Sequence, residues 1–144
     1  MVDPIAASYA YTADASLSAE QLVRLYDSVG WTAYTNEPDV LQRAVKASLA
    51  VVSAWDGDEL IGLARVVGDG LTMVYLQDIL IRPEYQGKGL GRELFQRVLA
   101  PFDGVRQKFL VTDGTEQQRG FYTAMGFTVL GELPTPLVAY ARLA

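Results

Sequence analysis

A glycine cluster between an apolar run and an amphipathic stretch constrains the fold more than any other feature of this sequence. The run LTMVYLQDILI, residues 71–81, is typical of a long β-strand, and three glycines follow it within residues 87–91. Apolar residues then recur at helical spacing over residues 90–99, and KFLVTD, residues 108–113, has the pattern of a second, short strand. This order predicts a βαβ unit, in which the two strands are parallel.

Two helices are predicted ahead of this unit. The stretch LSAEQLVRLYDSVG has one apolar helical face, and Ser18 with Gln21 forms a capping box at its start. Gly30 suits the left-handed position after its last turn. A second helix is predicted over residues 37–47 with Asn36 as its N-cap. The aromatic segment WTAYT connects the two helices.

The remaining elements are mostly strands. SLAVVSAW and LIGLARVV are joined by Asp-Gly-Asp at residues 56–58, which is a hairpin signal. A short strand is predicted over residues 9–12, a helix over residues 115–125, and two last strands near residues 128–130 and 137–142. The order predicts an α/β (α+β) fold, with a central mixed, largely antiparallel sheet and helices on both faces.

The length and composition of the chain limit which catalytic groups and which partners it can have. The chain has the size of one domain, so residues 1–144 are expected to form a single domain. It has no cysteine and no histidine, which excludes a thiolate nucleophile and a histidine base, and no metal site is expected. A net charge of −5 and a pI of about 4.6 disfavour nucleic acid. The sequence shows no secretion signal and no apolar run that could span a membrane, so we expect no membrane association and a cytoplasmic location.

The glycine cluster itself has two interpretations. A helix start presents unpaired N–H groups, and Gly87, Gly89 and Gly91 allow a backbone path that directs such groups at an anion. The simpler interpretation is a tight turn. A nucleotide-binding loop is disfavoured, because Lys88 is not followed by Ser or Thr and Arg92 or Leu94 stands where a dinucleotide motif needs glycine.

Two motifs carry a resemblance to a known family. LIRPEYQGKGLG contains Q-x-x-G-x-G after a long strand, and it resembles the acyl-CoA pyrophosphate loop of the GNAT superfamily of N-acetyltransferases. GFYTAMGF, residues 120–127, is similar to a second signature of that family. The element order also resembles the GNAT order over nearly the whole chain. Small single-domain bacterial members and plastid arylalkylamine-type members are the most similar. The resemblance implies acetyl-CoA as the co-substrate.

The resemblance also implies which residues bind acetyl-CoA. The backbone of the strand's last residues would pair with the pantetheine arm, and the glycine loop would hold the pyrophosphate. The family often has Asn six residues before its Phe-Tyr pair; Thr115 stands there, and Asp113 is an alternative contact. The predicted cofactor-binding residues are Ile79, Leu80, Ile81, Gln86, Gly87, Lys88, Gly89, Leu90, Gly91, Arg92, Asp113, Thr115, Phe121 and Tyr122.

Direct attack of an amine on the thioester needs a proton acceptor and a proton donor. By the resemblance, Tyr122 is the acid that protonates the leaving thiolate. Asp78 interrupts an apolar run and is either the base or a structural acid paired with an arginine. Tyr75 and Gln77 are expected on the opposite face of that strand, where they would hold a relay water. Trp31 and Tyr34 either wall the amine site or pack on the sheet.

The expected function is transfer of acetyl from acetyl-CoA to a small primary amine of the arylalkylamine or polyamine type. A protein lysine or N-terminal acetyltransferase, which would take a basic peptide, and a non-catalytic acetyl-CoA-binding regulatory module are the alternatives. The C-terminal LVAYARLA is a candidate contact for a homodimer.

Overall fold

A βαβ unit and an antiparallel meander share one five-stranded sheet in the computed structural model, which describes residues 5–144. The strands follow chain order across the sheet, as β1-β2-β3-β4-β5; β4 and β5 are parallel and the other neighbours antiparallel. The strands are β1 Ala10–Thr12, β2 Ala50–Asp56, β3 Glu59–Gly68, β4 Met73–Ile81 and β5 Gln107–Leu110. The helices are α1 Ala19–Ser28, α2 Thr32–Thr35, α3 Pro38–Ala47, α4 Leu90–Leu99 and α5 Glu116–Ala124.

The chain divides into two compact units, of which the first ends at Val111 and the second comprises Thr112–Ala144. The first unit contains the whole sheet and α1 to α4, and the second contains α5. The prediction of one domain over residues 1–144 stays a prediction.

Helices cover both faces of the sheet in the first unit. Leu63 on β3 belongs to the core cluster that includes Leu22 and Leu25 of α1 and Leu41 of α3. The neighbouring position on β3, Gly62, faces the other side of the sheet. A Cβ atom built on Gly62 would lie 3.1 Å from the Leu94 side chain of α4. The predicted fold class, a mixed and largely antiparallel sheet with helices on both faces, is therefore confirmed.

A β-bulge alters the register of β4. Arg65 of β3 pairs with Asp78, but Val66, the next residue, pairs with Leu76, so Gln77 is an extra residue on β4. A bulge places two successive side chains on the same side of the strand, which strict alternation cannot do. This corrects the expectation that Tyr75 and Gln77 point to the face opposite Asp78. Tyr75 pairs with Val67, which lies on the same face of β3 as Arg65, so Tyr75 also lies on the face of Asp78.

The parallel ladder of β4 and β5 is short. It pairs Met73–Leu76 with Gln107–Leu110, and within the described chain it does not reach Ile79, Leu80 or Ile81. The end of β4 therefore leaves the β5 side of its backbone without a strand neighbour.

Two predictions near helix starts have different outcomes. The capping box is confirmed, since the Gln21 amide donates to Ser18 Oγ at 3.1 Å and the Ser18 amide donates to Gln21 Oε1 at 3.3 Å. Asn36 as N-cap of the next helix is wrong: α3 starts at Pro38 with Glu37 before it, because proline favours the first helical position. The connector WTAYT contains the one-turn helix α2.

The two strands predicted at the end of the chain are absent from the structure. Residues 128–130 and 137–142 are not in strands; Leu130–Glu132 form a short 3₁₀ helix, and the Leu137 amide donates to the Leu130 carbonyl at 3.0 Å. An apolar run becomes a strand only where a neighbouring strand accepts its hydrogen bonds. Pro134 and Pro136, which carry no N–H, separate the two runs and disfavour such a ladder.

Candidate functional site

Asp78 lies at the centre of a buried polar cluster, which we call the Asp78 cluster and which consists of Tyr26, Tyr34, Arg65, Gln77 and Asp78. The Asp78 residue is only 4% exposed. Its Oδ2 accepts from Arg65 Nε at 2.6 Å and from the Tyr26 hydroxyl at 2.9 Å, and its Oδ1 accepts from the Tyr34 hydroxyl at 2.8 Å. These contacts match the structural alternative of an acid paired with an arginine.

The cluster also has an exposed end. The Tyr34 hydroxyl accepts from Gln77 Nε2 at 3.2 Å and from Arg65 Nη2 at 3.4 Å, in addition to donating to Asp78. Tyr34 is half-buried, whereas Gln77 is exposed. The bulge explains why the side chains of Gln77 and Asp78 both reach the same hydroxyl.

The rings of two cluster members, Tyr26 and Tyr34, form an aromatic group with Trp31. Tyr26 makes edge-to-face contacts with Trp31 and with Tyr34, at centroid distances of 5.9 and 5.0 Å. Trp31 and Tyr34 lie 6.3 Å apart, and Trp31 is 36% exposed. Trp31 and Tyr34, the two aromatic residues predicted at the amine site, are therefore neighbours, and each ring also packs against Tyr26 of α1.

Burial and the carboxylate determine the protonation states of this cluster. Burial, reinforced by Asp78, raises the pKa of Tyr26 well above its ordinary value. Burial also raises the pKa of Tyr34, although the Gln77 hydrogen bond opposes this. Burial alone would lower the pKa of Arg65, but attraction to Asp78 outweighs it and the net shift is upward. Both phenols are thus neutral and the guanidinium is charged at physiological pH.

The glycine loop follows the open end of β4. Gly87 and Gly89 have φ angles of +76° and +86°, which favour glycine, and Gly89 is the N-cap of α4. No side chain of the described residues caps this helix start. Gln86 Nε2 donates to the Ile81 carbonyl at 2.9 Å and so holds the loop against the end of the strand.

Two cations flank this loop. Lys88 Nζ lies 5.4 Å from the centroid of the Tyr85 ring, while Arg92 is exposed on the first turn of α4. The Tyr85 hydroxyl donates to Asp56 Oδ2 at 2.6 Å, which fixes the ring beneath Lys88. Exposed backbone amides, a helix start and two cations together form a site suited to a phosphate group.

The other predicted cofactor residues lie in the second unit. Thr115 is the N-cap of α5, where its Oγ1 accepts from the Gln118 amide at 3.2 Å, and Asp113 is exposed. Tyr122 is buried, and its ring contacts Phe121 and Phe127 at centroid distances of 5.0 and 6.4 Å. Burial raises the pKa of Tyr122, so its phenol stays protonated at physiological pH.

Comparison with known proteins shows what this architecture belongs to. The family model described as an acetyltransferase (GNAT) domain matches residues 30–134. The match includes the glycine loop, every member of the Asp78 cluster except Tyr26, and α5 with Tyr122. This chain belongs to the GNAT acetyltransferase family.

Similar acetyltransferases come from several organisms. A GNAT-family acetyltransferase of Streptococcus pneumoniae is 34% identical, with a TM-score of 0.81, over 93% of this chain and 98% of that one. A protein of Prochlorococcus marinus named ycf52-like N-acetyltransferase is 33% identical over 79% of this chain, which spans 64% of that relative. Serotonin N-acetyltransferase 2 of Oryza sativa is 30% identical over 48% of this chain and 34% of its own length.

Two further observations concern membranes and metals. Within residues 5–144, none of the helices reaches the length and hydrophobicity that crossing a membrane requires. Over the same residues, the structure contains no group of three or more Asp, Glu, His or Cys side chains that could hold a metal ion.

Sequence reasoning missed Arg65 and Tyr26 as partners of Asp78. One signal was available, because Arg65 interrupts the apolar run LIGLARVV as Asp78 interrupts YLQDILI. Two opposite charges in neighbouring apolar strands are expected to pair, since an isolated buried charge is costly. Tyr26 carried no such signal, because a tyrosine on an apolar helix face is ordinary.

Proposed function

We propose that this protein is an acetyl-CoA-dependent N-acetyltransferase that acetylates a small primary amine. The observation that carries the proposal is the glycine loop at the start of α4, which follows the end of β4, where β4 has no strand neighbour on its β5 side. An anion site and an open strand edge are what a pyrophosphate with an amide-containing arm requires. Family membership supports the same co-substrate.

The loop residues divide the work of holding the pyrophosphate. The backbone of Gly87, Gly89 and Gly91 presents amides, and Lys88 and Arg92 supply charge. Gln86 keeps the loop on Ile81. Leu90, the first residue of α4, is buried and anchors the helix start.

The end of β4 is proposed to hold the pantetheine arm. Backbone groups alternate between the two sides of a strand, so those of Ile79, Leu80 and Ile81 that do not pair with β3 face the side where β5 has ended. An extended amide chain can add there as a strand. An N–H group from this segment would polarise the thioester carbonyl.

The proposed transfer needs no covalent enzyme intermediate. The neutral amine nitrogen attacks the thioester carbonyl, a C–N bond forms, the C–S bond breaks, and the nitrogen loses a proton. The leaving thiolate gains a proton, for which we assign Tyr122 by resemblance to the family; burial raises its pKa, so the phenol carries its proton before the transfer. Asp113, Thr115 and Phe121 remain assigned to the cofactor by resemblance.

An arylalkylamine is the acceptor class we favour. The partial similarity to a serotonin N-acetyltransferase supports it, as do the exposed ring of Trp31 and the half-buried ring of Tyr34. Tyr75, half-buried on β4, is the remaining proposed amine contact. A lysine peptide is the alternative acceptor, and the cytoplasmic location and the homodimer stay predictions.

A thiol-release assay tests the function. Purified protein with acetyl-CoA is offered 2-phenylethylamine, spermidine, an amino sugar and a lysine peptide, and release of CoA is followed over time. We expect release to depend on an amine and to be fastest with 2-phenylethylamine. Fastest release with the lysine peptide would favour the alternative acceptor, and acetyl-CoA binding without release would indicate a regulatory module.

The same assay tests the acid. In Tyr122→Phe, the ring is kept and the phenolic proton is lost, so kcat should fall by about 10²-fold or more. Phe127→Tyr, which keeps an aromatic ring in contact with that of Tyr122, serves as a packing control. A Tyr122→Phe variant with the kcat of the wild type across the pH range would contradict the assignment.

A further inference from the structure

Asp78 is surrounded by donors that already occupy its carboxylate. Arg65 and Tyr26 bind Oδ2, Tyr34 binds Oδ1, and the residue is 4% exposed. A general base must come within hydrogen-bond reach of the proton that it removes. An ion-paired carboxylate with three donors and almost no exposed surface is poorly placed to do so.

Tyr34 connects this buried carboxylate to the surface. Its hydroxyl joins Asp78, Arg65 and the exposed Gln77, and Gln77 directly follows Leu76, the last β4 residue in the ladder with β5. The exposed end of the cluster therefore lies where the two strands separate, beside the segment proposed to hold the pantetheine arm.

The helix that carries Tyr34 depends on this anchor. α2 has only four residues, none of them fully buried, and a single helical turn is not stable by itself. Trp31 is its N-cap residue, and its ring lies next to that of Tyr34. The Tyr34 hydroxyl ties this turn to β3 and β4 through three hydrogen bonds.

Resting on the proposed function, we propose that Tyr34 determines which amine is accepted and that Asp78, with Arg65, is a positioning residue that holds Tyr34 in place. The base is then a different group or an ordered water. Asp78 is neutralised by Arg65, so the cluster offers an amine ring faces and an amide and no unpaired carboxylate. Such a surface fits one ammonium group next to an aromatic ring better than the several charges of a polyamine.

Tyr34→Phe and Tyr26→Phe form a matched pair for the test. Each removes one hydroxyl that donates to Asp78, at 2.8 and 2.9 Å, but only Tyr34 belongs to the exposed end. In Tyr26→Phe, Oδ2 still accepts from Arg65. Both variants keep their rings, and Tyr34→Phe changes only a half-buried position.

We expect Tyr34→Phe to raise the KM for 2-phenylethylamine by about tenfold, the equivalent of one hydrogen bond to a charged group, while kcat changes by less than about threefold. The ratio of kcat/KM for 2-phenylethylamine to that for spermidine should fall by a similar factor. Tyr26→Phe should leave that ratio unchanged and lower only the melting temperature. Equal amine kinetics in Tyr34→Phe and the wild type would overturn the proposal.

The kcat values of the two variants separate positioning from base catalysis. If Asp78 were the base, removing either hydroxyl that donates to it would disturb the proton transfer itself, so kcat would fall in both variants. A positioning role predicts that kcat stays within about threefold of the wild-type value in both variants. A fall in kcat of about tenfold or more in both variants would therefore overturn the inference in favour of Asp78 as base.

The activity of the wild-type protein distinguishes failure of the proposed function from failure of the Tyr34 inference alone. Absence of amine-dependent CoA release by the wild-type protein would defeat the proposed function and this inference with it. An active wild type with an unaltered Tyr34→Phe variant would defeat the inference alone.

Discussion

The Asp78 cluster is centred on the bulge of β4, and the glycine loop follows the end of the same strand, but the two regions are built in different ways. The cluster takes side chains from α1, α2, β3 and β4, and its main contacts span 13, 44 and 52 residues. The loop, residues 86–91, uses consecutive backbone groups and positive φ angles. The first is saturated by its own contacts, and the second presents amides to the exterior.

This difference indicates how each region tolerates change. A buried network made of charged partners loses stability when one member is removed, because the remaining buried charge is then neither paired nor hydrated by water. A loop made of backbone groups depends on conformation, so it is sensitive to a Cβ atom and insensitive to distant side chains. The predictions below test this contrast, in order of decreasing effect.

Removal of Arg65 should have the largest effect. Arg65→Met keeps the length of the side chain but leaves Asp78 buried without its cation, so we expect a loss of about 3–5 kcal/mol in the free energy of unfolding. Urea unfolding measures it. Arg43→Met is the control, because the ion pair of Arg43 with Asp39 on α3 is exposed, and this variant should lose less than about 0.5 kcal/mol. Equal losses in both variants would mean that the cluster does not contribute as a buried network.

Gly87→Ala should have an intermediate effect that is largely functional. A Cβ there meets no atom within 4 Å, but the φ of +76° disfavours alanine by about 1–2 kcal/mol. We expect that loss in urea unfolding and a higher KM for acetyl-CoA in the thiol-release assay. Gly104→Ala is the matched control, since its Cβ also meets nothing and its φ is not positive. A KM for acetyl-CoA that stays at the wild-type value would contradict the proposal that the glycine loop binds acetyl-CoA.

Asp69 offers the smallest and most specific comparison with Asp78, because it is an exposed carboxylate that also accepts several hydrogen bonds. The Thr72 hydroxyl, with the amides of Leu71, Thr72 and Met73, lowers the pKa of Asp69 well below its ordinary value of 3.8. A lowered folded-state pKa contributes stability above pH 3.8, and this contribution is lost as the pH falls toward the folded value.

Thermal unfolding of Asp69→Asn checks this. The melting temperature of the wild type should fall more steeply between about pH 5 and pH 2 than that of the variant, because asparagine does not titrate. Parallel curves for the two proteins would show that the loop contacts of Asp69 add no pH-dependent stability.

Local features were predictable from the sequence, because neighbours in the chain determine them. The capping box of Ser18 and Gln21 and the glycine turn after β4 depend on residues within a few positions of each other. The two GNAT motifs are also local, and the family assignment that followed from them is confirmed. The last two strands were wrong for the converse reason: a strand needs a partner, and an apolar run alone does not supply one.

The sequence by itself determined the family, the order of elements through β5 and α5, and the position of the glycine loop at the start of α4. Only the tertiary structure decided what surrounds Asp78. An extra residue in β4, Gln77, cannot be read from the alternation of YLQDILI, because a bulge is defined only against the neighbouring strand. The partners of Asp78 on α1, α2 and β3 come together only when the helices pack on the sheet, since burial is what makes pairing of that carboxylate with Arg65 necessary.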